Sequence, residues 1–103
     1  MRKFRVKSGS AEQLCRQAAD QFLPLVKNVR GFVDYMIIDN HDGHVMSISI
    51  CQDQAGVQEA YQLAKDWHRQ YSQQLEGPLD VIEGEVMVDS SGFLQQQQPR
   101  MAA

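Results

Sequence analysis

The 103-residue sequence predicts an α+β domain of element order β-α-β-β-α-β, a ferredoxin-like arrangement in which a four-stranded antiparallel sheet carries two helices on one face. Three observations predict it. Segments with a two-residue apolar period and segments with a helical period follow one another in that order. An Asp42-Gly43 turn joins the second and third strand segments as a hairpin. The second strand segment is apolar on both sides, as a strand covered on both faces would be.

Residues 3–7 (Lys-Phe-Arg-Val-Lys) alternate strictly and form a short half-buried strand. Arg2, Lys3, Arg5 and Lys7, interleaved with Phe4 and Val6, read as its solvated side rather than as a phosphate patch. Ser10 is a helix cap with Gln13 reaching back to it, and Leu14, Ala18, Phe22 and Val26 continue as one helical stripe, with Cys15, Leu25 and Val29 beside it. Pro24 removes a backbone donor, so a kink near residues 20–24 or an early helix end is expected. Residues 31–39 are the second strand, with Val33, Tyr35 and Ile37 on one side and Phe32, Met36 and Ile38 on the other. Residues 44–51 return with Met46, Ile48 and Ile50 on one face and Val45, Ser47, Ser49 and Cys51 on the other. Asp53 caps the second helix, whose stripe runs Val57, Ala60, Tyr61, Ala64, Trp67, Tyr71. Gly77-Pro78 breaks that helix, unless it ends a turn sooner, residues 79–88 alternate as the last strand, and Gly84 marks a bulge or a close backbone approach. The domain is expected over residues 1–89. Residues 90–103, with their Gln95 to Gln98 run, read as a flexible C-terminal tail anchored by Phe93 and Leu94.

In such a sheet the first and third strands are expected centrally, running parallel. Helices cover one face only, so a strand apolar on both sides predicts a partner on the open face, most simply a second copy related by a two-fold axis.

Apolar residues make up 43% and charged residues 22%, with net charge −3, so a nucleic-acid footprint, which is basic and clustered, is not expected. No apolar run approaches the length of a membrane helix, and no apolar stretch follows the basic N-terminus, so neither a membrane span nor a signal peptide is expected. Two cysteines, 36 positions apart, read as buried thiols in a reducing cytoplasm.

The order Gly31-Phe32-Val33-Asp34-Tyr35, Asp42-Gly43, Val45 to Ile50, an acidic cap, Ala64-x-x-Trp67, Gly77-Pro78 and Gly84-Glu85-Val86 resembles that of small dimeric α/β-barrel proteins. It is most similar to uncharacterised bacterial members of the antibiotic biosynthesis monooxygenase-like superfamily. The resemblance covers residues 3–88 and rests on order and spacing rather than on any one motif. It implies a homodimer of two sheets packed face to face, a pocket in each subunit between sheet and helices, and, in some relatives, oxidation of aromatic polyketides without metal or cofactor. Relatives that degrade haem use an Asn, Trp and His set. Trp67 falls at the tryptophan's place, but His68 points to a different side of the helix and no asparagine matches, so the resemblance does not extend to haem.

Trp67, Tyr71, Tyr61, Tyr35 and Phe22 are the expected pocket residues, packing as core or lining a site for a small apolar molecule, with indole and phenol groups as donors. His68 is the nearby proton carrier. His41 and His44 flank the turn as His-x-x-His, but two ligands without a third do not make a metal site. No cofactor is expected. The function classes left open are a cofactor-independent oxygenase and a non-catalytic homodimeric ligand-binding or assembly module.

Overall fold

The central hairpin organises the molecule. In a computed structural model, which describes residues 1–94 and 99–103, β2 (Phe32–Asp39) and β3 (His44–Cys51) pair antiparallel along their whole lengths. On its other edge β3 pairs with β1 (Arg2–Val6), and β1 pairs with β4 (Leu75–Val81), so that β4, β1, β3 and β2 lie side by side with every pairing antiparallel. The result is an α+β fold, compatible with the expected ferredoxin-like order. The expectation that the first and third strands run parallel is corrected. Each helical crossover returns the chain in its original direction, so β1 and β2 share a direction, and their common neighbour β3 must oppose both.

The first helical run begins at Ser10, whose Oγ accepts the Gln13 N–H at 3.0 Å. It consists of α1 (Ala11–Gln17), a π-helical turn over Ala18–Phe22 and α2 (Leu23–Val26). The expected disturbance before Pro24 takes the form of this widened turn, and the helix continues through the proline instead of ending there. Asp53 caps α3 (Gln54–Gln70), its Oδ1 accepting the Gly56 N–H at 2.8 Å. Phe22, Val26, Cys51, Val57 and Ala60, all at most 2% exposed, make the centre of the core between the helices and β3.

Three strand expectations change. β4 starts at Leu75 and runs through Gly77-Pro78, which the sequence reading placed as a breaker; β4 lies at a sheet edge, where a residue without an N–H is tolerated. A register shift between Phe32 and Asp34 turns Phe32 to the helix side, where it packs with Tyr35 and Ile37 instead of with Met36 and Ile38. A Cβ on Gly84 would meet nothing within 4 Å, so the close approaches lie elsewhere, at Gly56 and Gly77.

Beyond β4 the chain adds β5 (Gly84–Glu85), a small hairpin of β6 (Val88–Asp89) with β7 (Gly92–Phe93), and β8 (Met101–Ala102), so the strands exceed the expected four. β8 pairs with the end of β3 that β1 does not reach, Ala102 opposite Ile50, and Ala103 is fully buried. The described ends of the expected flexible tail are thus structured: Leu94 is buried, and the apolar Met101-Ala102-Ala103 terminus completes an open ladder edge. Gln95 to Gln98 lie outside the described residues. No helix among the described residues is long and apolar enough to cross a membrane.

Candidate ligand cavity

The two helical runs and the sheet do not close completely on one another. Between them lies a cavity of about 50 Å³. β1 contributes Phe4, the first helical run Leu14, Cys15, Ala18 and Phe22, and α3 Ala64, Trp67 and His68, while Tyr35, Ile37, Val45 and Ser47 form the sheet floor. A shallower groove of about 200 Å³ adjoins it between the first helical run and edge strand β2, sharing Cys15, Ala18, Tyr35 and Ile37 as a common wall. A dry cavity of ~150 Å³ holds a benzene ring. Cavity and groove together therefore suit one ring, and three fused rings would need side chains to move.

Of the residues expected at a pocket, Trp67, Phe22, Tyr35 and His68 meet around this space. Phe22 packs at its centre between Tyr35 and Trp67, with ring centroids 5.2 and 6.0 Å away. Tyr71 does not line the cavity. It stacks on Trp67 at 4.5 Å, and its hydroxyl donates to Gln21 Oε1. Tyr61 faces a different and smaller pocket, against Arg2 and Lys65. The expectation that one stripe carries Tyr61, Trp67 and Tyr71 into one site is corrected: steps of three and four drift around the helix, and only Ala64 and Trp67 of the stripe face the cavity.

The donor expected from Trp67 is also engaged. Its indole N–H donates to Gln21 Oε1 at 3.3 Å, so one amide oxygen takes both ring donors. What remains inside is mainly apolar. Burial pushes the Tyr35 phenol up to about 12, although Ser47 and the Arg2 charge pull it down. Burial also pushes the Cys15 thiol up, with Asp39 adding to it, so the thiolate needed for nucleophilic work is disfavoured. His68 Nε2 lies 3.0 Å from the Leu75 carbonyl oxygen, an acceptor only; Nε2 therefore carries the proton in the neutral ring, leaving Nδ1 as an acceptor.

The sequence reading missed Gln21, Cys15, Leu14 and Phe4 as site residues. Leu14 and Cys15 were visible on the first stripe. Gln21 carried no signal, since an exposed helix glutamine looks like any other. The two turn histidines face different carboxylates, His41 Nδ1 at 3.3 Å from Asp39 and His44 Nδ1 at 3.1 Å from Asp42. Among the described residues no three His, Cys, Asp or Glu side chains gather as metal ligands. Compared with protein-family models, curated proteins and solved structures, the chain matches none.

Proposed function

We propose that this chain is a homodimeric, ferredoxin-like α/β-barrel protein of the cytoplasm whose cavity, together with the adjoining groove, binds a small apolar molecule of about one aromatic ring. The cavity beneath Trp67 carries the reading, being apolar, walled by aromatic rings and adjoined by a groove at an open sheet edge. Two features support the dimer. Met36 and Ile38 are 38% and 39% exposed on the sheet face away from the helices. Opposite them in register lie Ile48 and Met46, so the exposed residues belong to one apolar patch rather than standing singly. The resemblance to the antibiotic biosynthesis monooxygenase-like superfamily points to the same face-to-face assembly.

Trp67 is the chain's one tryptophan and reports on its own cavity. Toluene should change its emission saturably in wild type, and Ala64→Met, which fills the cavity, should abolish the change. A linear response in both proteins contradicts the reading.

His68 favours a second reading, a cofactor-independent oxygenase. The hydrogen bond to Leu75 engages Nε2, so that in a neutral ring Nδ1 is the acceptor, on a side chain that lines the cavity. Oxygen uptake with a one-ring phenolic substrate, lost in His68→Phe, tests it; uptake unchanged in the variant removes His68 from the chemistry.

A further inference from the structure

Arg2 is 3% exposed. It shares its parity with Phe4 and Val6, so β1 places it on the helix side of the sheet, opposite Ser47 and away from Lys3 and Arg5. Its Cζ sits 3.9 Å from the centroid of the Tyr61 ring, which satisfies the flat face of the guanidinium but not its edge. Nε and Nη2 are wholly buried and have no hydrogen-bond partner among the described residues. No described carboxylate comes within ion-pair distance of them; the described ion pairs of arginines belong to Arg5, Arg16 and Arg69.

A buried guanidinium cannot shed its charge, and leaving it unpaired costs more than one ring face returns. The two unpartnered nitrogens are also a particular pair. Nε–H and Nη2–H point along one side of the guanidinium as parallel donors, the spacing that accepts both oxygens of one carboxylate. Arg2 also lines a pocket of about 30 Å³ together with Tyr61, Lys65, His68 and Pro78; Nε and Nη2 lie behind its surface, so a ligand there meets them when the side chain turns. Lys65, whose Nζ stands 5.6 Å from the Tyr61 centroid, also lines this pocket, which brings a second cationic side chain to it. That volume suits a group of two or three heavy atoms. Phe4, Ala64 and His68 line both this pocket and the larger cavity, so the two are neighbours.

We propose that Arg2, with Lys65, is the anchor for a carboxylate on a small organic ligand whose apolar part packs towards the cavity beside Phe4, Ala64 and His68. The placement of the apolar part rests on the cavity reading; the anchor does not. It makes the ligand class a small aromatic acid rather than a neutral hydrocarbon.

Calorimetric titration of the full chain with benzoate and with benzamide, which has the same shape and no charge, separates the two ideas. Benzoate should bind wild type at least about tenfold more tightly than benzamide. Arg2→Met should erase that preference without lowering the melting temperature, because it removes an unpaired buried charge while keeping an unbranched side chain. Arg2→Lys, which keeps the charge and loses the fork, should also lose most of it. Equal binding of benzoate and benzamide to wild type overturns the anchor and leaves the cavity standing. A preference that survives in Arg2→Met overturns it too, and binding of neither overturns both. Displacement of benzoate by inorganic phosphate at equal concentration overturns the carboxylate assignment.

Discussion

At the scale of single residues, parity was the most informative signal and was read incompletely. Arg2, Lys3, Arg5 and Lys7 looked like one solvated basic side, yet Arg2 stands in step with Phe4 and Val6, and the structure buries it with them. A strict two-residue count assigns it correctly from the sequence alone. The partners of Trp67 were not legible in that way, because a hydrogen bond across 46 positions to an exposed glutamine leaves no local pattern. Tyr35 offers a prediction of its own. Its folded phenol value of about 12 exceeds the ordinary 10, so the native state holds this proton more tightly than the unfolded chain. The associated stability is complete below about pH 10 and is lost as pH rises towards 12, amounting to about 3 kcal/mol. Denaturation curves between pH 9 and about 11.5 should fall more steeply for wild type than for Tyr35→Phe; parallel curves contradict the burial of that hydroxyl. Phe22, 2% exposed among Tyr35, Trp67 and the helices, should cost about 3–5 kcal/mol on replacement by alanine, measured by urea denaturation.

At the scale of elements, what the sequence made legible was whatever local chemistry decides. Both N-caps, the hairpin and the stripe Leu14–Ala18–Phe22–Val26 lie where the pattern places them. What escaped was decided by neighbours: the bulge that turns Phe32, the edge position that lets β4 pass through Pro78, and the free end of β3 that captures β8. Glycine shows the same division. Gly84 looked special, yet a Cβ there would meet nothing within 4 Å, whereas Gly56 looked ordinary and lets α3 meet β3. A Cβ there would stand 2.9 Å from Cys51 Cβ and 3.0 Å from the Arg30 carbonyl oxygen. Both atoms belong to packed backbone or its first carbon and cannot swing aside. Gly56→Ala should therefore destabilise by about 1–3 kcal/mol, although alanine is the better helix former. A stabilised variant in thermal denaturation would show that α3 is free to slide.

At the scale of the whole molecule, the account joins an apolar open sheet face to an apolar cavity on the opposite side of the same sheet. The face carries charge towards β1 and β4, where Lys3 stands opposite Asp80 and Arg5 pairs with Glu76, and at the start of β2, where exposed Asp34 stands opposite Ile50. Its β2 and β3 half presents Met36, Ile38, Met46 and Ile48. Light scattering at micromolar concentration should give about twice the chain mass of 11.7 kDa, and Met36→Glu should halve it. The most direct test joins face and cavity in one measurement, the anomalous bromine signal of crystals soaked in bromobenzene. The account predicts one bromine peak beneath Trp67 in each of two subunits that meet through Met36 and Ile38. Bromine bound only on the exposed sheet face, or a cavity without a peak, would contradict it.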